Sequence, residues 1–114
     1  MTARRITLIG LLTLTLFGGI AGAHQVTEKT LLDNEQVLVV EYVFPPGFKG
    51  DEHEAPVNEF AYVLDGEFSV VTKGKGTTVV KKGEVEYAPK GTVHYSLNDT
   101  KRPARVLVVL IKER

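Results

Sequence analysis

Turn signals recur so often along this chain that they leave little room for a long helix. Asp33-Asn34, Pro45-Pro46-Gly47, Asp65-Gly66, Gly74-Lys75-Gly76, Gly83, Pro89-Lys90-Gly91 and Asn98-Asp99-Thr100 follow in order, most of them roughly 8–12 residues apart. Proline removes a backbone donor and glycine tolerates positive φ, so each cluster marks where a regular element ends. The runs between them are rich in β-branched and aromatic residues and often alternate apolar with polar. Stretches 26–32, 35–44, 59–66 and 104–113 read as strands, and "EFSVVTK", "TTVVKKG", "EVEYAP" and "TVHYSLN" read likewise. Asp65-Gly66 reads as a hairpin turn. Stretches 35–44 and 104–113 are apolar on both faces, apart from Glu41 in the first, which predicts mostly buried strands. Eight or nine short strands at this spacing indicate an all-β sandwich or barrel.

The 114 residues suffice for one domain, and an apolar content of 43% supports a packed core. With no cysteine, disulfides, thiolate zinc sites and thiol nucleophiles are excluded. Basic and acidic residues balance at 14 each, and no basic stripe interleaves with aromatics, so nucleic acid is not an expected partner.

The first residues read as a targeting segment. "MTARR" is a short positive start, "ITLIGLLTLTLFGGIAG" is uncharged and mostly apolar, and "AGA" ending at Ala23 is a small-x-small cleavage pattern. This predicts a secretory signal peptide over residues 1–23 and a mature domain over 24–114, periplasmic or secreted and without a membrane segment. The alternative is an uncleaved anchor, since the apolar span 6–23 reaches the short limit for crossing a bilayer. Cleavage after Ala23 would expose His24, whose amine and imidazole together suit Cu(II).

Side-chain parity identifies a polar interior. If Glu59 points inward in "EFAYVLDG", so do the small Ala61 and Val63, while Phe60, Tyr62 and Leu64 face away. In "TVHYSLN" the matching inward set is Thr92, His94 and Ser96, with Tyr95 turned out. A buried carboxylate without a partner is costly, and a metal or a histidinium would offset that. Tyr87, just before Ala88-Pro89, is a candidate neighbour of the pocket. Asn98 is expected to bond backbone in the turn after it. His53 reads as a loop histidine among acids.

Two ordered sets of residues carry a family resemblance. The first is Gly47, His53, Ala55, Glu59 and Gly66; the second is Gly83, Pro89, Gly91, His94 and Asn98. At this spacing the chain resembles a single-domain cupin. The resemblance implies a jelly-roll barrel (a double-stranded β-helix) with no substantial helix in the mature domain. It also implies a divalent metal inside the barrel, Fe, Mn, Zn, Ni or Cu, held by His53, Glu59 and His94. The family's further histidine falls at Ala55, which has no donor atom and should leave extra room beside the site. Three ligands still suit several metals; the other reading is a polar pocket that binds none. The ligand implied is a small molecule, and a homodimer is implied. Whether the protein is an enzyme, such as an oxygenase or isomerase, or a non-catalytic binding module is left open by these residues.

Overall fold

The structure is a computed structural model that describes residues 25–113. The proposed cleavage site after Ala23, and His24 beyond it, lie outside the described residues. Nine strands form: β1 (Thr27–Asp33), β2 (Val37–Phe44), β3 (His53–Glu54), β4 (Asn58–Asp65), β5 (Glu67–Thr72), β6 (Gly76–Lys81), β7 (Val85–Ala88), β8 (Val93–Leu97) and β9 (Ala104–Ile111). Among the described residues there is no helix.

The strands make two antiparallel sheets, a five-stranded one in the order β1-β2-β9-β4-β7 and a four-stranded one in the order β3-β8-β5-β6. Their facing sides enclose the core. On β2 the inward residues are Val40, Tyr42 and Phe44; on β9 they are Ala104, Val106, Val108 and Leu110. The four-stranded sheet answers with Phe68, Val70 and Val80. Aromatic rings fill one part of this interior, with Phe44 stacked on Phe48 at 4.8 Å and tilted against Phe68 at 5.6 Å. Burying one such ring stabilises by about 2–3 kcal/mol.

β2 and β9 are not buried on both sides as their composition suggested. Each alternates, and Val37, Val39, Leu107 and Val109 are only half-buried on the outer face. The five-stranded sheet is covered on one side only, so its outer apolar residues meet solvent.

Gly66 is the corner of the barrel rather than a hairpin turn. β4 pairs with β7 and β9 in one sheet, while β5 pairs with β6 and β8 in the other, so the chain changes sheet here. The corner needs glycine for two reasons. Its φ is +75°, and a Cβ would lie 2.4 Å from the Pro103 carbonyl oxygen. Gly74-Lys75-Gly76 is the true hairpin turn, closed by the Lys75 amide donating to the Thr72 carbonyl at 2.9 Å.

Asn98 ties the end of β8 to the end of β2. It is fully buried, and its Nδ2 donates to the carbonyls of Phe44 at 2.9 Å and Arg102 at 2.8 Å. Its Oδ1 accepts from the Thr100 amide and hydroxyl at 3.0 and 2.7 Å. This bears out its expected structural role and extends it, because the Phe44 bond reaches across the barrel.

Candidate metal centre

His53 does not sit in a loop. It opens β3, a strand of two residues that pairs antiparallel with β8 so that His53 lies opposite His94 and Glu54 opposite Val93. The two imidazoles meet edge to face, with ring centroids 4.8 Å apart. The Nδ1 of His53 is 3.0 Å from the Asp51 carbonyl oxygen. A carbonyl only accepts, so Nδ1 carries a proton, and in the neutral ring the lone pair lies on Nε2. Metal-binding histidines are commonly oriented by this kind of bond.

Glu59 enters from the other sheet. On β4 the residues Glu59, Ala61 and Val63 share the inner side, as parity predicted, and Tyr62 is exposed on the outer one. The Oε2 of Glu59 comes within 3.9 Å of the Nε2 of His94. This is not an ion pair between full charges. Burial, assisted by nearby His53, pushes His94 down to about 4. Burial, assisted by Glu86, pushes Glu59 up to about 7. Attraction between opposite charges would move both groups the other way, so loss of hydration dominates.

His53, Glu59 and His94 line one cavity of about 40 Å³, together with Ala61 and Ser96. Phe44 and Phe68 form its apolar side, and Tyr42 lies behind, its hydroxyl donating to Glu28 at 3.3 Å. Burial first, and Glu28 next, raise the Tyr42 phenol, so it stays protonated. Val63 and Ala55 are fully buried but lie off the cavity wall. Ala55 is instead held by backbone bonds to Thr92 and Gly91, at 2.8 and 2.9 Å. The extra room anticipated beside Ala55 is therefore not part of the cavity.

Tyr87 is corrected outright. It is 57% exposed, on the outer face of β7. The register sets this: Glu59 pairs with Ala88 and Ala61 with Glu86, so Glu86 and Ala88 share the inner side. Glu86 lines the cavity and was missed. Burial raises its carboxyl above the usual range. The signal was the small Ala88, two residues on and of the same parity; an apolar-inward reading of "EVEYAP" favours Val85 and Tyr87 instead.

The donors suit a divalent cation in kind. Two imidazoles and a carboxylate share a cavity, one imidazole is oriented from behind, and the buried carboxylate gains from a positive charge beside it. The Nδ1 of His94 is buried and makes no hydrogen bond among the described residues. Ligand atoms about 2.1 Å from one metal lie about 3.4 Å apart in a tetrahedron, so the 3.9 Å between His94 and Glu59 is slightly wide. Among the described residues no three His or acidic side chains already stand at metal-holding distance. Closing the set requires side-chain movement.

Comparison with known proteins agrees with this architecture. The family described as "Cupin domain" matches residues 40–110. Among solved structures, the polyketide cyclase RemF from Streptomyces resistomycificus is 28% identical, with a TM-score of 0.72, over 82% of this chain and 69% of that one. A cupin domain from Bordetella pertussis Tohama I is 23% identical, with a TM-score of 0.65, over 77% of this chain and 94% of that one. An RmlC-like cupin with a double-stranded β-helix fold from Methanocaldococcus jannaschii is 18% identical, with a TM-score of 0.72, over 82% and 85%. No curated protein matches the chain.

Proposed function

The chain belongs to the cupin domain family, and on that premise we propose that it is an exported barrel that holds a divalent metal through His53, Glu59 and His94 and presents it to a small molecule. One observation carries the reading. His53 is held by the Asp51 carbonyl in the tautomer that frees Nε2, in a cavity it shares with His94 and Glu59. When bound, the metal would supply a Lewis acid with coordination positions left for water or ligand. The protein's own contributions are distinct from that. Asp51 fixes the His53 proton on Nδ1, burial keeps His94 neutral, and Phe44 and Phe68 restrict water on the apolar side.

The reaction, if there is one, is limited by size. A cavity of about 40 Å³ has room for a protein-bound ion with a few waters or for a very small molecule. RemF is a polyketide cyclase, and a polyketide is far larger than this space. The same volume favours a second reading, a module that binds metal or a small ligand without turning it over. Oxygen uptake and product analysis across a panel of small substrates separates the two.

Metal content decides the main reading. After loading with Fe(II), Mn(II), Ni(II), Cu(II) and Zn(II) in turn, the purified protein without a polyhistidine tag should retain about one ion per chain of at least one metal. Retention far below that for all five would sink it.

Export and assembly belong to the same proposal. The signal pattern over 1–23 supports a periplasmic or secreted mature domain over 24–114, and among the described residues no helix is long and apolar enough to cross a membrane. Amino-terminal sequencing of protein recovered from the periplasm should begin at His24. The outer face of the five-stranded sheet carries Tyr62, Val85, Tyr87 and Ile111 in the open. Cross-strand pairing sets Tyr62 beside Val85. A second copy of the chain covering this face makes the protein a homodimer. A monomer mass by light scattering at micromolar concentration would refute that.

A further inference from the structure

Position 55 offers no donor, yet the cavity does not lack a further one. Glu86 points into it from β7, in the same sheet as Glu59. The register makes the two acids diagonal neighbours, because Glu59 pairs with Ala88 and Ala61 with Glu86. Diagonal positions in a sheet are about 7–8 Å apart between backbones, which two glutamate side chains span easily. Among the described residues Glu86 has no hydrogen bond and no ion pair. An inward carboxylate with no partner is unfavourable unless it takes up a proton or something positive joins it. A separate observation comes from the opposite sheet. His94 is 5% exposed, lines the same cavity, and has a buried Nδ1 without a hydrogen-bond partner among the described residues.

We propose that Glu86 supplies, from the five-stranded sheet, the donor that Ala55 does not, giving a site of two imidazoles and two carboxylates. This rests on the metal reading above. The four-stranded sheet contributes the nitrogens, His53 and His94; the five-stranded sheet contributes the oxygens, Glu59 and Glu86. Two carboxylates neutralise a divalent charge fully, where one leaves it half balanced. Oxygen donors also shift preference toward the harder ions, Mn(II) and Fe(II), over Cu(II).

The test uses Glu86→Gln, which keeps the shape and removes the charge. Relieving a buried acid should not unfold the barrel, and thermal melting verifies that. Glu84→Gln is the control for charge alone, since Glu84 is exposed and bonds the Lys81 amide. Titration of the tag-free protein with Mn(II) and Co(II) by calorimetry should show Glu86→Gln weakened about 10–100-fold, with Glu84→Gln within about twofold of wild type. The visible absorption of bound Co(II), which reports the ligand set, should change in Glu86→Gln only. If wild type binds and Glu86→Gln binds as tightly with an unchanged spectrum, Glu86 is not a ligand and the three-donor reading stands alone. An affinity loss with an unchanged spectrum also overturns it, as a field effect of the charge. If wild type itself binds none of the metals, both readings fall together.

Discussion

The two motif regions of this barrel differ in how they are built and in what they have kept. The first, from Gly47 to Gly66, places His53 on a strand of two residues and Glu59 at the start of a long one, and carries Ala55 where a donor is expected. The second, from Gly83 to Asn98, places His94 in the middle of β8, with Glu86 facing inward from β7. His94 is deeply buried, while His53 is half-buried and depends on Asp51 for its orientation. The second region thus forms the buried side of the site, and the first is the more solvent-accessible one. Ala55 in one region offers no donor to the cavity, while Glu86 in the other faces into it, so the interior as a whole, not either motif, is what the comparison weighs.

The largest effect should distinguish the two histidines. His94→Ala should weaken divalent-metal binding by about a thousandfold, and His53→Ala by about 10–100-fold, because the half-exposed position admits water as a substitute ligand. Calorimetric titration reads both, and the reverse order would break the comparison. Next comes the fastening of each region. Asn98→Ala leaves the buried Phe44 carbonyl without its donor, removes one of two donors to the Arg102 carbonyl, and should cost about 3 kcal/mol in urea unfolding. Asn58→Ala, which frees only the exposed Lys90 amide, should cost less than about 1 kcal/mol.

Acidity sharpens the comparison further. In the metal-free protein Glu59 has its folded value raised to about 7 from 4.5. The folded state therefore holds the proton more tightly, and stability from Glu59 is fully present below 4.5 and is lost as pH rises through 7. Glu59→Gln should gain on wild type across that window, by up to about 3 kcal/mol. Urea unfolding of both proteins at pH 4.5 and 7.5 measures the difference; a constant gap would refute the burial account of Glu59. The smallest expectation is for Tyr87→Ala. Its ring is on the outer face, so metal affinity should stay within about twofold of wild type.

The parity of β4 was legible because its two sides differ plainly, Ala61 and Val63 against Phe60, Tyr62 and Leu64. His94 and Ser96 were legible for the same reason. β7 was not. It has four residues, with an acid on one side and large apolar groups on the other, and the usual inward rule selects the wrong side. β3 was illegible in a different way, since two residues carry no period at all. Asp65-Gly66 announced a turn correctly but not its kind, because a hairpin and a corner between sheets both need a glycine at positive φ.

By itself, then, the sequence determined an all-β barrel, its turn positions, and which residues could serve as donors. Those follow from local steric limits and from the alternation of side chains along a strand, which each segment carries within itself. Which donors share a cavity was decided only by tertiary structure. The pairing of His53 with His94, and of Ala61 with Glu86, joins residues far apart in the chain, and register between strands is set by the packing of both sheets at once.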